Sequence, residues 1–166
     1  MSKSGQRLQP ALLQRLSDDH PEVSVDTLDQ CTLSRDQLRQ DVLKHLEEIL
    51  NARCPLTEKE LAAHPALKGT ALAYGMPCLT GKTVSTLDVR GLEKLVADAI
   101  ALFEPRIEPS SIEVKAEQQI DMLNRYNVIA LRIGVLMWAE PFPIELLLRS
   151  EVDLESSRVS LKPAYN

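Results

Sequence analysis

The sequence predicts an α+β domain: a small, largely antiparallel sheet of three to four strands packed against two long helices, with a short N-terminal helix. Three observations carry this expectation. Two segments, 34–50 and 87–103, repeat apolar residues at helical spacing. From Ile112 the apolar period changes to two. The helical patterns come before the strand patterns instead of alternating with them, which is the order of an antiparallel sheet with helices on one face.

Residues 1–33 read as an N-terminal extension. Its one apolar stretch, "PALLQRL", places Pro10 at a first helical turn and Leu12, Leu13 and Leu16 on one face. A helix this short is not stable alone, so it must dock or fray. A domain over 34–162 follows, with 163–166 as a tail. Ser34 and Gln37 form a capping-box pattern ahead of Leu38, Val42, Leu46, Ile49 and Leu50, and Pro55 ends that helix. Thr57 and Glu60 open a second, short helix that Pro65 closes. "TALAYGMPCLTGKT" holds Gly75, Pro77 and Gly81 and reads as a loop. Leu92, Leu95, Val96, Ala99 and Phe103 define the second long helix, stopped by Pro105.

Strands come next. Ile112, Val114 and Ala116 alternate with Glu113, Lys115 and Glu117, as on a half-buried strand. The stretch 118–127 carries no settled pattern. Val128 to Trp138 is apolar on both faces and reads as a central strand covered twice, with Gly134 marking a bulge or a close backbone approach. Ile144, Leu146, Leu148, Val152 and Leu154 share one face of a further strand, and "ESSR" turns into a last one, Val159 to Leu161. The alternating segments 112–117 and 144–154 are the expected sheet edges.

Composition narrows the function. A formal charge of -5 with 4% aromatic residues disfavours a nucleic-acid surface, which wants a basic stripe and stacking platforms. Cys31, Cys54 and Cys78 are far apart, with no CxxC pair and no histidine at ligand spacing, so neither a disulfide framework nor a zinc site is expected. No secretory h-region opens the chain, and its most apolar run carries Arg132 and is too short to span a bilayer. A soluble, cytoplasmic protein is expected, with no metal and no cofactor. "GKT" at Gly81–Thr83 fails as a phosphate loop because the required first glycine position is Met76. His20, His45 and His64 have no nucleophile elbow beside them. Glu104 is one candidate acid for glycoside hydrolysis, but its sequence neighbourhood supplies no second carboxylate.

The stretch "FEPRI", Phe103–Ile107, ends the second long helix. A residue before proline leaves the α region, so Glu104 is expected to be extended, with Phe103, Pro105 and Ile107 on one side and Glu104 and Arg106 on the other. A carboxylate at a helix C-terminus meets the negative end of the dipole and wants a cation. Arg106 is the nearest. Two readings stand open: an internal ion pair that fixes the corner, or charges that cross-pair with a partner protein.

Five stretches in this order, "ILNAR", "YGMPCLTG", "FEPRI", "LRIGVLM" and "LLLRSEVDLESSRVSL", resemble the baseplate-wedge and sheath-initiator family of contractile phage tails, above all its type VI secretion members; "LLQRLSDDHP" is similar to their N-terminus. Cys78 stands where that family more often has an acidic residue. The resemblance implies a non-enzymatic cytoplasmic protein that joins the wedge subunits TssF, TssG and TssK and starts polymerisation of the TssB/TssC sheath. It also implies partner contacts through Glu104, Pro105 and Arg106, through Tyr74, Gly75 and Pro77, and through Leu12, Leu13 and Leu16. The same superfamily includes IraD, an anti-adaptor that binds a response regulator, and some relatives carry an old lysozyme label. A regulatory binding module is therefore the alternative, and a hydrolase the third reading.

Overall fold

The computed structural model describes residues 10–12, 16, 21–22, 32–77, 88–117, 128–139 and 142–164. Leu13, the "GKT" stretch, the unassigned segment 118–127, His20, Cys31 and Cys78 lie outside them. Within them run α1 (Arg35–Asn51), α2 (Glu58–Ala63), α3 (Val89–Phe103), β1 (Glu113–Glu117), β2 (Val128–Met137), β3 (Ile144–Asp153) and β4 (Arg158–Pro163). The four strands form one antiparallel meander in the order β1-β2-β3-β4. Leu12 and Leu16 are helical, as the leucine spacing predicts.

Local chemistry explains where the helices begin. Both capping boxes are present. Ser34 Oγ accepts from the Gln37 N–H at 3.2 Å while the Gln37 side chain accepts from the Ser34 N–H at 2.8 Å. Thr57 and Glu60 repeat the exchange at 3.3 and 2.8 Å. Glu60, with its carboxylate on the Thr57 N–H and hydroxyl, titrates below the ordinary value. The third start, Asp88 accepting from the Arg90 N–H at 3.1 Å, is a cap that the apolar spacing alone did not locate.

The two long helices lie against one face of the sheet. Leu38, Val42, Leu46, Ile49 and Leu50 of α1 and Leu92, Val96, Ala99 and Ile100 of α3 join a single core with alternate residues of β2 (Ile129, Leu131, Ile133, Val135, Met137) and β3 (Ile144, Leu146, Leu148, Val152). Burying each such side chain contributes roughly 1.5–3 kcal/mol before entropy is counted.

Two strand expectations are corrected. β2 is not covered along both faces: on its outer face Ala130 is buried, but Arg132 and Leu136 are exposed, and Arg132 meets Glu117 of β1 at 2.9 Å. Ala130, Gly134 and Leu136 made that outer face look apolar in sequence, but an antiparallel sheet can leave such a face wet. The segment 144–154 is not an edge: β3 pairs with β2 along its whole length and with β4 from Leu148 to Asp153. Alternation reports one wet face, and a central strand of a single-covered sheet alternates as well as an edge strand does. At Gly134 the ladder runs without interruption on both sides, and an added Cβ would stand 3.3 Å from Leu147 Cδ2, so this glycine makes room for a neighbouring side chain and marks neither a bulge nor a close backbone approach. The "ESSR" turn is as expected, with Asp153 accepting from the Glu155 and Ser156 N–H groups; these bonds and the Ser156 hydroxyl lower the Asp153 pKa.

Among the described residues the edges are β1 and β4, and helix side chains reach both. Asn51, the last residue of α1, accepts from the Val159 N–H at 2.9 Å and donates to the Val159 carbonyl at 2.8 Å, as a neighbouring strand would. On β1 the Glu93 carboxylate of α3 accepts from the Ala116 N–H at 2.7 Å.

Candidate functional site

The corner between α3 and the sheet begins at Glu104, which caps the helix with φ -115° and ψ 87° while its N–H still donates to the Ile100 carbonyl at 2.9 Å. The departure from helical ψ is what the following proline demands. The chain then turns sharply. The Ile107 N–H donates to the Glu104 carbonyl at 3.2 Å, so Glu104–Ile107 is a tight turn and not the extended ribbon expected. Its side chains do not alternate as predicted: Glu104 and Ile107 are buried, Phe103 and Arg106 are half-buried, and Pro105 is exposed.

Glu104 is only 1% exposed, yet its carboxylate is fully engaged. Oε1 accepts from Arg106 Nε at 2.8 Å and from the Arg106 N–H at 3.1 Å. Oε2 accepts from Arg106 Nη2 at 2.8 Å and lies 2.7 Å from Nδ1 of His45 on α1. Burial pushes the Glu104 pKa up, but the bonds from Arg106 and His45 and the guanidinium charge outweigh it and hold the carboxyl below its ordinary value. An ionised carboxylate can only accept, so the His45 ring carries its proton on Nδ1. Arg106 is in turn held protonated by the Glu104 hydrogen bond against the cost of its burial, with the Asp41 charge adding to the same effect. The internal ion pair is therefore the arrangement this chain adopts.

The surroundings tie the corner to the rest of the fold. The Trp138 N–H donates to the Arg106 carbonyl at 2.8 Å and the Glu108 N–H to the Leu136 carbonyl at 2.9 Å, which fastens the segment after the turn to the end of β2. Tyr74 meets Phe103 edge to face, with ring centroids 5.1 Å apart. Its hydroxyl pKa is raised by burial and by the charges of Glu48 and Glu104. Gly75 has φ +100° and lies so close to α1 that a Cβ would stand 2.4 Å from the Ala52 carbonyl oxygen, a place only glycine fits. The next residue, Met76, donates to that same carbonyl at 2.8 Å.

Of the residues expected to meet partners, Glu104, Arg106 and Tyr74 thus gather at one corner with Pro105 at its surface, and Gly75 follows Tyr74 inward. Pro77 instead lines an apolar groove between α3 and the 54–77 segment. Leu12 and Leu16 stand 69% and 74% exposed. Sequence reasoning missed His45, although it continues the spacing of Leu38, Val42 and Ile49 along the buried face of α1, where a histidine needs a partner. It also missed the exposed Trp138 beside the corner, at 65%.

Chemically, this arrangement braces a corner. A general acid needs a carboxyl raised toward neutrality and open to substrate, and Glu104 is depressed and enclosed. Among the described residues no helix is long and apolar enough to cross a membrane.

The model of the baseplate wedge protein gp25 family matches residues 36–141, which span α1 through β2 and include both the Tyr74–Gly75 stretch and the Glu104–Arg106 turn. No curated protein and no solved structure matches the chain. That family is structural rather than catalytic, in keeping with an enclosed carboxylate. The chain belongs to the family of the baseplate wedge protein gp25.

Proposed function

We propose that this chain is a structural subunit of a type VI secretion baseplate, of the TssE kind. It joins the wedge subunits TssF, TssG and TssK, acts in the cytoplasm where the baseplate docks on the inner-membrane complex, and starts polymerisation of the TssB/TssC sheath. The observation that carries the reading is the pair of sheet edges beside a rigid corner. On β4 the outward backbone side holds Val159, Leu161 and Pro163, by the alternation of an antiparallel ladder. Asn51 takes the first and proline has no N–H, which leaves Leu161. On β1 the corresponding side holds Val114 and Ala116, and Glu93 takes the Ala116 N–H. An incoming sheath strand pairs at these remaining positions and displaces the helix side chains as it extends.

In this reading Glu104 does not itself touch a partner. It holds Arg106 and the exposed Pro105 in one geometry, so that wedge subunits meet a preformed corner with Tyr74 and the exposed Trp138 beside it. Leu12, Leu13 and Leu16 supply a separate apolar contact.

Two measurements test the proposal. Affinity capture from lysate of the native host is expected to bring down wedge and sheath subunits, and their absence would remove the type VI assignment. Val114→Pro and Leu161→Pro, each shown to be folded by circular dichroism, are expected to block sheath assembly; normal assembly by both counts against strand addition.

A further inference from the structure

One cation from each strand stands in a single row across the outer face of the sheet. The ladder sets Lys115 of β1 opposite Arg132 of β2, Arg132 opposite Arg149 of β3, and Arg149 opposite Lys162 of β4. All of them are exposed. Like charges directly opposite one another destabilise a sheet, so folding by itself does not account for the row. Neutralisation is partial. Glu117 meets Arg132 Nη2 at 2.9 Å and Arg149 Nε at 3.2 Å, while Lys115 reaches Glu113 at 3.6 Å between two exposed side chains, a pairing that contributes little. Lys162 meets no carboxylate among the described residues. Glu117 engages only Nε of Arg149, which leaves the outer N–H groups of that guanidinium to donate elsewhere. Beside the row, the same face continues as apolar surface through the half-buried Leu147, opposite Gly134, and the exposed Leu136.

We infer that this face docks an acidic segment of another protein, with its carboxylates on Lys115, Arg132, Arg149 and Lys162 and an apolar residue against Leu136 and Leu147. Charge complementarity names the partner. The chain carries -5 overall, so the row is a local reversal of sign that steers acid to this face and not to the rest of the surface. Spacing agrees. Neighbouring strands lie about 4.8 Å apart and a helix rises about 5.4 Å per turn, so a helix laid across the strands with one acid per turn sets a carboxylate near each cation. Nucleic acid matches poorly, because Glu113 and Glu117 flank the row and repel a continuous run of phosphates, and no aromatic ring stands in the row for bases to stack on. The surface is distinct from the strand edges and from the Glu104 corner, so it stands or falls apart from the type VI reading.

Fluorescence anisotropy on the purified full chain tests it, with a labelled peptide of repeated Glu-Ala-Ala-Ala units as the probe. The wild type is expected to bind the peptide, and less tightly as salt rises. Lys115→Glu with Lys162→Glu changes two exposed positions on the row and is expected to weaken binding at least about tenfold. Lys44→Glu with Lys94→Glu makes the same change of net charge at exposed helix positions and is expected to leave binding as it was. Should the row variant lose its fold by circular dichroism, Lys115→Gln with Lys162→Gln takes its place, with the same direction expected. A wild type that does not bind at low salt, a folded row variant that binds as the wild type does, or an equal loss in the helix control each overturns the inference. So does tighter binding of a short DNA duplex or of phosphatidylserine vesicles through the same two lysines, which would make this a nucleic-acid or a membrane surface.

Discussion

Oε2 of Glu104 and Nδ1 of His45 lie 2.7 Å apart, joining the end of α3 to the middle of α1 across 59 positions of sequence. With Arg106 clamping both carboxylate oxygens, this contact makes the turn after α3 part of the helix packing and not a loop that follows it.

Glu104→Gln is expected to destabilise the fold by about 3 kcal/mol. It leaves a half-buried guanidinium without its counter-charge, and removing one partner of a buried pair typically costs about 3–5 kcal/mol; the partial exposure of Arg106 places the loss at the low end. Urea denaturation of the purified variant gives the value. Exchanging the two charges, Glu104→Arg with Arg106→Glu, is expected to recover only part of it, because His45 then faces a cation.

Acid titration separates the same interaction by its sign. The folded Glu104 pKa is depressed below 4.5, so the unfolded chain takes up this proton first as pH falls. The stabilising contribution is therefore complete above about pH 4.5 and is lost as pH falls through the lower folded value. Thermal melts between neutral pH and about pH 3 are expected to fall more steeply for the wild type than for Glu104→Gln over that window. Parallel curves would show that the carboxylate is not the titrating group.

Asn51→Ala removes the side chain that pairs with both backbone groups of Val159. A loss of about 1–2 kcal/mol is expected, set by the net worth of two part-buried hydrogen bonds. Amide exchange at Val159 is expected to quicken while that of β3 stays slow, a pattern that general loosening would not produce.

Proline scanning distinguishes the two orders of strands. Leu148→Pro is expected to abolish folding, since β3 is paired on both sides and a proline there breaks a buried ladder. Leu161→Pro on the outward side of β4 is expected to leave the circular dichroism spectrum unchanged. The opposite result would restore the 144–154 segment as an edge.

Residues within one turn of one another determined much of this molecule from sequence alone. Ser34 with Gln37 and Thr57 with Glu60 set two helix starts, Pro105 set a stop, and the period-two runs marked β1 and β3, because each depends on contacts three or four positions away or on local backbone sterics. The five quoted stretches, in their order, led to a family that the match over residues 36–141 bears out. Only the folded chain decided which strands became edges, that β2 leaves Arg132 and Leu136 of one face in water, and that Glu104 turns inward to Arg106 and His45. The physical reason is range. Alternation tells a strand that one face is dry, but not whether a neighbour lies beside it. A buried carboxylate is held by whichever hydrogen-bond donors packing brings within about 3 Å, and His45, Asn51 and Glu93 reach their partners across 59, 108 and 23 positions.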